Sequence, residues 1–130
     1  MKFDKEFFIK QDFLPELIEA AFRNARQDWE RVQAMDDPAI ICRIDYDCII
    51  KFGVAALCKE GYRVRSVPGH HRIILEAMVD LMELKKEYEY LDRLRKKRNL
   101  ELYSGGAEFT QKEADTLLAL LQEIFHNIRE

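Results

Sequence analysis

A group of arginines near the end of a predicted helix is the clearest chemical signal in this chain. Residues 91–103 read LDRLRKKRNLELY, and a glycine pair follows at 105–106. At about 100° per residue, Arg95 and Arg98 lie within about 60° of three leucines. Because an unpaired buried charge costs several kcal/mol, arginines on an apolar face are normally paired or placed at the edge of a cleft. The pattern predicts a cationic cleft suited to phosphate, with Asn99 at its edge.

A second candidate cluster lies where another helix is predicted to begin. His70, His71 and Arg72 follow the turn Pro68-Gly69, and the dipole at a helix start favours anions. These side chains would extend the basic site. Adjacent helical residues point about 100° apart, so the two histidines make a poor metal pair. With no third ligand at suitable spacing, we predict no metal site, and we predict no cofactor.

A structural role for the arginines is an equal alternative. Arg95 and Arg98 would then be buried and paired with acids such as Asp45 or Asp47 of the second helix, or with a second subunit. Asp45 and Asp47 themselves lie on different helical faces, which disfavours a paired-carboxylate acid–base site.

Other polar residues of this region favour ordinary roles. Lys96 and Lys97 fit a solvated helix face better than a ligand site, and Tyr103 fits a packing role at a helix end better than a catalytic one. His126 stands alone on the last predicted helix. No glycine-rich phosphate loop and no Ser-His-Asp arrangement is present in the sequence.

Length and composition describe one globular domain. The chain has 130 residues, of which 48% are hydrophobic and 35% charged, and we predict a single domain over 1–130. Cys42, Cys48 and Cys58 form no CxxC pair and fall in one predicted helix, which indicates reduced core residues. No apolar run approaches the ~18 residues of a membrane span, and none at the N-terminus resembles a signal peptide. We therefore predict a cytoplasmic protein.

Charge is unevenly distributed along the chain. The net charge is −3, yet basic residues outnumber acidic ones in the segments 59–72 and 85–99. Elsewhere the acidic residues are in excess. This distribution suits a local anionic ligand better than general adhesion to nucleic acid.

Hydrophobic spacing predicts five helices and no strand. An N-terminal arm or short helix over 1–12 precedes them, and 62–69 is predicted to be a loop. The second helix is apolar on most sides and is predicted to be central. A break is expected near 83–88, because one helix over 70–103 would be about 50 Å long. The predicted helices run over about 15–35, 39–60, 70–83, 87–103 and from 110 to 128.

Local signals mark the ends of several helices. Asp37 is a candidate N-cap, Gly61 a candidate stop, and Thr110 with Glu113 form a capping box. Gly53 inside the second helix indicates a close approach of another helix. With short connections between them, these elements predict an all-α, up-and-down bundle of four main helices plus one additional helix.

Three segments together resemble one known family. AALCKEGYR at 55–63, GHH at 69–71 and LDRLRKKRN at 91–99, followed by Tyr103 and the glycine pair, are similar to the HEPN domain superfamily. HEPN domains are small helical bundles associated with nucleotides and RNA, and many are homodimers. The resemblance implies either a metal-independent ribonuclease or a non-catalytic partner in a nucleotidyltransferase or toxin–antitoxin system.

The ribonuclease members of that family carry an arginine followed, after four to six residues, by a histidine. Here Arg98-Asn99 matches the first half, and Tyr103 stands in the histidine position. Tyrosine, with a pKa of about 10, exchanges protons poorly near neutral pH. The resemblance therefore favours a binding module for a nucleotide or RNA phosphate, and a ribonuclease using Arg98 and Tyr103 is the alternative. The implied ligand-binding residues are Arg95, Arg98, Asn99, Tyr103, His70 and Arg72.

Overall fold

A computed structural model describes residues 3–104 and 108–127, with side chains for 3–100 and 108–126. The described residues form an all-α bundle, as predicted, with one small two-stranded sheet. In chain order the elements are β1 (Phe8–Lys10), α1 (Pro15–Val32), α2 (Pro38–Lys59), β2 (Tyr62–Val64), α3 (His70–Met82), a 3₁₀ turn (Lys85–Glu87), α4 (Tyr88–Ser104) and α5 (Gln111–Asn127). The glycine pair predicted to end the fourth helix lies outside the described residues.

The helix α2 is the centre of the bundle and packs against α1, α3, α4 and α5. Its side chains Ile41, Ile49, Phe52 and Leu57 are all nearly inaccessible to solvent. A helix that is apolar on most sides is stable when other elements cover each side. The prediction of a central second helix is confirmed.

Aromatic contacts join three helices around the core. Phe22 of α1 meets Phe52 of α2 edge-on, with ring centroids 5.4 Å apart. Trp29 of α1 stacks on Phe125 of α5 at 4.9 Å. Leu14 lies just before α1, is 64% exposed and takes no part in this core.

The predicted helix caps are present. The Asp37 side chain accepts hydrogen bonds from the backbone N–H groups of Ala39 and Ile40. Thr110 and Glu113 form the reciprocal capping box, since each side chain accepts from the other residue's backbone N–H. These caps depend on residues within one turn of each other, and local sequence is therefore sufficient to predict them.

Gly53 in α2 and Gly61 just after α2 have the predicted roles. A Cβ on Gly53 would lie 2.6 Å from Cγ2 of Ile74, so α3 approaches α2 closely at this point. Gly61 has a φ of 84° and follows the end of α2. That conformation is unfavourable for residues with a side chain.

A short sheet corrects the prediction that 62–69 is a loop and that no strand is present. β1 pairs with β2 in antiparallel register, with Phe8 opposite Val64 and Lys10 opposite Tyr62. Three residues are too few to show an alternating pattern in the sequence. The arm also receives side-chain hydrogen bonds from Arg63 and Arg65. Much of the basic charge of 59–72 is therefore used to hold the arm.

The break between α3 and α4 lies where it was predicted. Glu83 has a φ of 56°, a left-handed conformation, and its N–H donates to the carbonyl of Val79. The 3₁₀ turn follows, and α4 then packs against both α3 and α2. This reversal brings the second half of α4 beside the start of α3. Within the described residues, no helix is both long and apolar enough to span a membrane.

Candidate functional site

A cavity of about 550 Å³ lies where the start of α3, the first half of α2 and the second half of α4 meet. We call it the α3-start cavity. Its volume is in the range of about 300–1,000 Å³ that is typical of small-molecule sites. The lining residues are Tyr46, Asp47, Ser66, Val67, Pro68, Gly69, His70, His71, Arg72, Arg95, Arg98 and Asn99.

Five of the six predicted ligand-binding residues line this one cavity. Arg95, Arg98 and Asn99 form the α4 wall, and His70 and Arg72 belong to the α3 wall. The side chain of Tyr103, the sixth, lies outside the described residues. Helical phase predicts that Arg95 and Arg98 share a face, but only the packing of α4 against α3 brings them to the histidines.

Arg95 is paired within its own helix. Its Nε and Nη2 each lie 2.9 Å from Oδ1 of Asp92, so Arg95 is paired with an acid, as the structural alternative expected, but that acid is on its own helix rather than on α2. Burial opposes ionisation of Asp92, but hydrogen bonds from Arg95 and Lys96 outweigh it and hold the pKa of Asp92 below its ordinary value. A guanidinium has five N–H donors, so this pair orients Arg95 and leaves donors for another acceptor.

The two acids on either side of Tyr46 differ in environment, as their helical faces predicted. Asp47 is exposed and lines the cavity. Asp45 is inaccessible to solvent, and neither carboxylate oxygen has a hydrogen-bond partner among the described residues. Burial raises the pKa of Asp45 to about 7. Asp45 therefore belongs to the core behind the cavity wall.

Tyr46 and His71 form a hydrogen-bonded pair that sequence reasoning missed. The Tyr46 hydroxyl lies 2.8 Å from Nδ1 of His71, and Tyr46 is 3% exposed. Burial raises the pKa of Tyr46 to about 12, with Asp47 adding to the rise and Arg95 and Arg98 opposing it. The residues are 25 positions apart, and the one sequence hint is that Asp-Tyr-Asp interrupts an apolar helix.

Burial and neighbouring groups also act on the imidazole of His71. Burial lowers the pKa of His71, and His70 and Arg95 lower it further, while Asp47 opposes them. His71 is therefore neutral near pH 7.

The start of α3 opens onto the cavity without a side-chain cap. The N-cap residue is Gly69, with a φ of 80°. Nδ1 of His70 lies 3.1 Å from the carbonyl oxygen of Val67, which fixes His70 to the preceding loop. The N–H groups of His70 and Arg72 already donate to the carbonyls of Val67 and Gly69, so the positive dipole end of α3 is what favours an anion here.

The charges around the cavity sum to an excess of cations. Arg72, Arg95 and Arg98 line it against the single carboxylate of Asp47. Arg72 has an acidic neighbour in Glu76, but at 3.8 Å that pair is loose and exposed. The lining of the cavity therefore carries more arginines than carboxylates, an arrangement that favours a phosphate group.

The lysines beside these arginines have separate roles. Lys96 is exposed and pairs with Asp92, which fits the predicted solvated face. Lys97 does not fit it, because its Nζ lies 2.7 Å from both carboxylate oxygens of Glu113 and 5.0 Å from the ring centre of Phe109. Lys97 connects α4 to the start of α5, a contact that helical phase alone does not reveal.

A second cavity of about 1160 Å³ lies at the other end of α3, and we call it the α3-end cavity. Its charged lining mixes three lysines with five acids: Lys59, Lys85, Lys86, Glu60, Asp80, Glu83, Glu87 and Glu123. Across the described part of the chain, no group of three or more His, Cys, Asp or Glu side chains is placed to hold a metal ion.

Comparisons of the chain with protein-family models, with curated proteins and with solved structures give no match. The chemistry of the α3-start cavity is accordingly the basis for a functional assignment.

Proposed function

We propose that this chain is a HEPN-like binding module that holds a nucleotide or an RNA phosphate in the α3-start cavity without cleaving it. The observation that carries the proposal is the convergence of Arg95 and Arg98 with the uncapped start of α3 around one space. Guanidinium groups bind phosphate oxygens through paired N–H donors, and the helix start adds the positive end of its dipole. A cytoplasmic location is part of the same proposal.

The pairing of Arg95 with Asp92 supports binding rather than opposing it. The Arg95 side chain is 15% exposed and is held from one edge by the carboxylate. A side chain that is already oriented loses less conformational entropy when a ligand binds. Arg95 would therefore meet a phosphate in a position that the free protein has already set.

The proposal includes a homodimer in which two copies of α4 meet. Leu100 follows Asn99 of the cavity wall and is 56% exposed. A second copy packed on this side would cover Leu100 and enclose the ligand. Light scattering after size-exclusion chromatography tests this, with Leu100→Asp expected to shift a dimer to monomer and Leu14→Asp, at another exposed leucine, expected to leave it a dimer.

A nucleotidyltransferase or a toxin–antitoxin protein is the partner that the family resemblance suggests. Co-expression of the chain with the product of its neighbouring gene tests this part of the proposal. Co-purification of a nucleotidyltransferase or toxin would support it, and separate elution of the two proteins would contradict it.

Calorimetric titration with adenosine monophosphate and with a short single-stranded RNA tests the binding function. We expect measurable affinity that falls as salt is raised, because the contact is electrostatic. The double variant Arg95→Glu with Arg98→Glu should reduce binding by at least about a hundredfold, since it replaces two attractive charges with repulsive ones.

The matched control is Lys85→Glu with Lys86→Glu, which changes the net charge equally at two exposed residues of the α3-end cavity. It should bind like the wild type. Circular dichroism confirms that both double variants are folded. Equal losses in the two variants, or no binding by the wild type, would contradict the assignment of the site.

A metal-independent ribonuclease using Arg98 and Tyr103 is the second candidate. The observation that favours it is the imidazole of His71 in the same cavity as Arg98, because the Arg-x4-Tyr pattern lacks a histidine. Incubation of RNA with the protein in EDTA tests this candidate. Cleavage that disappears in Arg98→Ala and in Tyr103→Phe would favour the enzyme over the binding module.

A further inference from the structure

The two adjacent histidines of the α3-start cavity are held by different kinds of partner. Nδ1 of His70 faces the backbone carbonyl oxygen of Val67 at 3.1 Å. A carbonyl oxygen accepts hydrogen bonds and does not donate them. Neutral His70 therefore carries its ring proton on Nδ1, and the Nε2 atom of His70 carries a lone pair.

His71 has the opposite arrangement. Its Nδ1 lies 2.8 Å from the hydroxyl of Tyr46. Tyr46 is 3% exposed, and among the described residues its hydroxyl has no other acceptor. A buried hydroxyl left without an acceptor costs free energy, so Tyr46 donates its proton to Nδ1. Neutral His71 therefore carries its own proton on Nε2.

We infer that His71 is a ligand-binding residue that offers its Nε2–H to a phosphate oxygen, and that Tyr46 is the positioning residue that holds this tautomer. The inference rests on the proposed function of the cavity. It also revises the choice of His70 as a binding residue, because a neutral His70 presents a lone pair that repels an anion.

The charged and titratable groups around His71 agree with this role. Asp47 of α2, His70 and Arg72 of α3, and Arg95 and Arg98 of α4 line the same cavity. A cationic imidazole would repel the arginines, whereas a neutral one donates a hydrogen bond without that cost. A neutral imidazole with its proton on Nε2 also has no lone pair on that nitrogen to act as a general base. The geometry therefore favours binding over catalysis.

Nitrogen NMR of the histidine side chains tests the tautomers in the free protein. The chain has 3 histidines, and the variants His70→Gln and His71→Gln assign their signals. We expect the proton of neutral His71 on Nε2, and we expect Nδ1 of His70 to be protonated. Tyr46→Phe should release His71 to a mixture of tautomers. A wild-type His71 protonated on Nδ1 would overturn the inference.

Titration with inorganic phosphate and with adenosine monophosphate tests the ligand role. We expect His71→Phe to weaken binding by about tenfold or more, since one hydrogen bond to a charged group is lost. His71→Gln should retain most of the affinity, because the amide N–H₂ of glutamine can stand where Nε2–H was. Tyr46→Phe should weaken binding by about threefold, because only part of the His71 population then presents the donor.

The matched control is His126→Phe, at an exposed residue of α5 that does not line the cavity. It should bind like the wild type. A wild type that binds while His71→Phe binds equally well would overturn the inference and leave the proposed function intact. A wild type that binds neither probe would overturn the proposed function and the ligand role of His71, and the NMR tautomers would still decide whether Tyr46 positions the ring.

Discussion

The two ends of α3 carry cavities of opposite character. They are about 20 Å apart, since α3 has 13 residues. The α3-end cavity is the larger, at about 1160 Å³ against about 550 Å³, but its acids outnumber its lysines, which disfavours an anion. The α3-start cavity concentrates three arginines and an uncapped helix start. Charge arrangement, rather than size, distinguishes the candidate site.

The two regions also differ in what lies on α2. At the α3-end cavity, α2 contributes Ala56 and Lys59, and Glu60 follows the helix; none of these is a buried polar group. At the α3-start cavity, α2 contributes Tyr46, and the preceding residue is the buried acid Asp45. Polar groups that reduce stability thus collect beside the candidate site, as is common at functional sites.

The largest expected difference between the two regions is the effect of Asp45 on the pH dependence of stability. Its folded-state pKa of about 7 lies above the ordinary value of 3.8, so the folded protein binds an extra proton between these values. The free energy of unfolding should therefore fall as pH rises across that interval, by up to roughly 1.4 kcal/mol per pH unit. Asp45→Leu should remove this slope and raise stability at pH 7, as measured by urea unfolding at several pH values.

The control for Asp45 belongs to the other region. Asp80 is an exposed acid of the α3-end cavity, and Asp80→Leu should leave the pH slope unchanged. Equal effects of Asp45→Leu and Asp80→Leu on the pH slope would contradict this difference between the two ends of α3.

The pH dependence of anion binding is the next effect in size. The pKa of His71 is lowered first by burial and then by His70 and Arg95, and a bound anion would raise it again. Binding then takes up a proton, so affinity should increase as pH falls from 7 to 5, by up to about tenfold per unit. Sulfate is the probe, because it does not titrate in this range.

His71→Gln should bind sulfate with a weaker dependence on pH than the wild type. Asp92→Asn, which removes the carboxylate beside Arg95, should instead change the affinity at all pH values while keeping the slope. A wild type without a slope would show that His71 does not contact the anion.

The smallest effect concerns the left-handed residues at the two ends of α3. Gly69 before the helix has a φ of 80°, and Glu83 after it has a φ of 56°. A side chain in this conformation costs about 1 kcal/mol. Gly69→Ala should therefore destabilise the protein by about that amount, and Glu83→Gly should stabilise it by up to the same amount. Urea unfolding measures both.

An Asp80→Gly variant, in the regular part of α3, is the control for Glu83→Gly and should lose about 1 kcal/mol because glycine disfavours a helix. Stabilisation by Glu83→Gly together with unchanged phosphate binding would confirm that this end of α3 is not part of the site.

Elements specified by neighbouring residues were predictable. The caps at Asp37 and at Thr110 with Glu113, the break near Glu83 and the central position of α2 all follow from patterns within a few turns. Elements that need a distant partner were missed. The three-residue strands β1 and β2 pair across more than 50 positions, and Lys97 reaches Glu113 of another helix.

The sequence by itself determined the helices, their caps and the phase that places Arg95 and Arg98 on one face, because each depends on the repeat of a single helix. Tertiary structure alone decided that this face meets the start of α3 and that Tyr46 lies against His71. Side chains from three helices can form a cavity only after packing of the apolar core has set the distances between those helices.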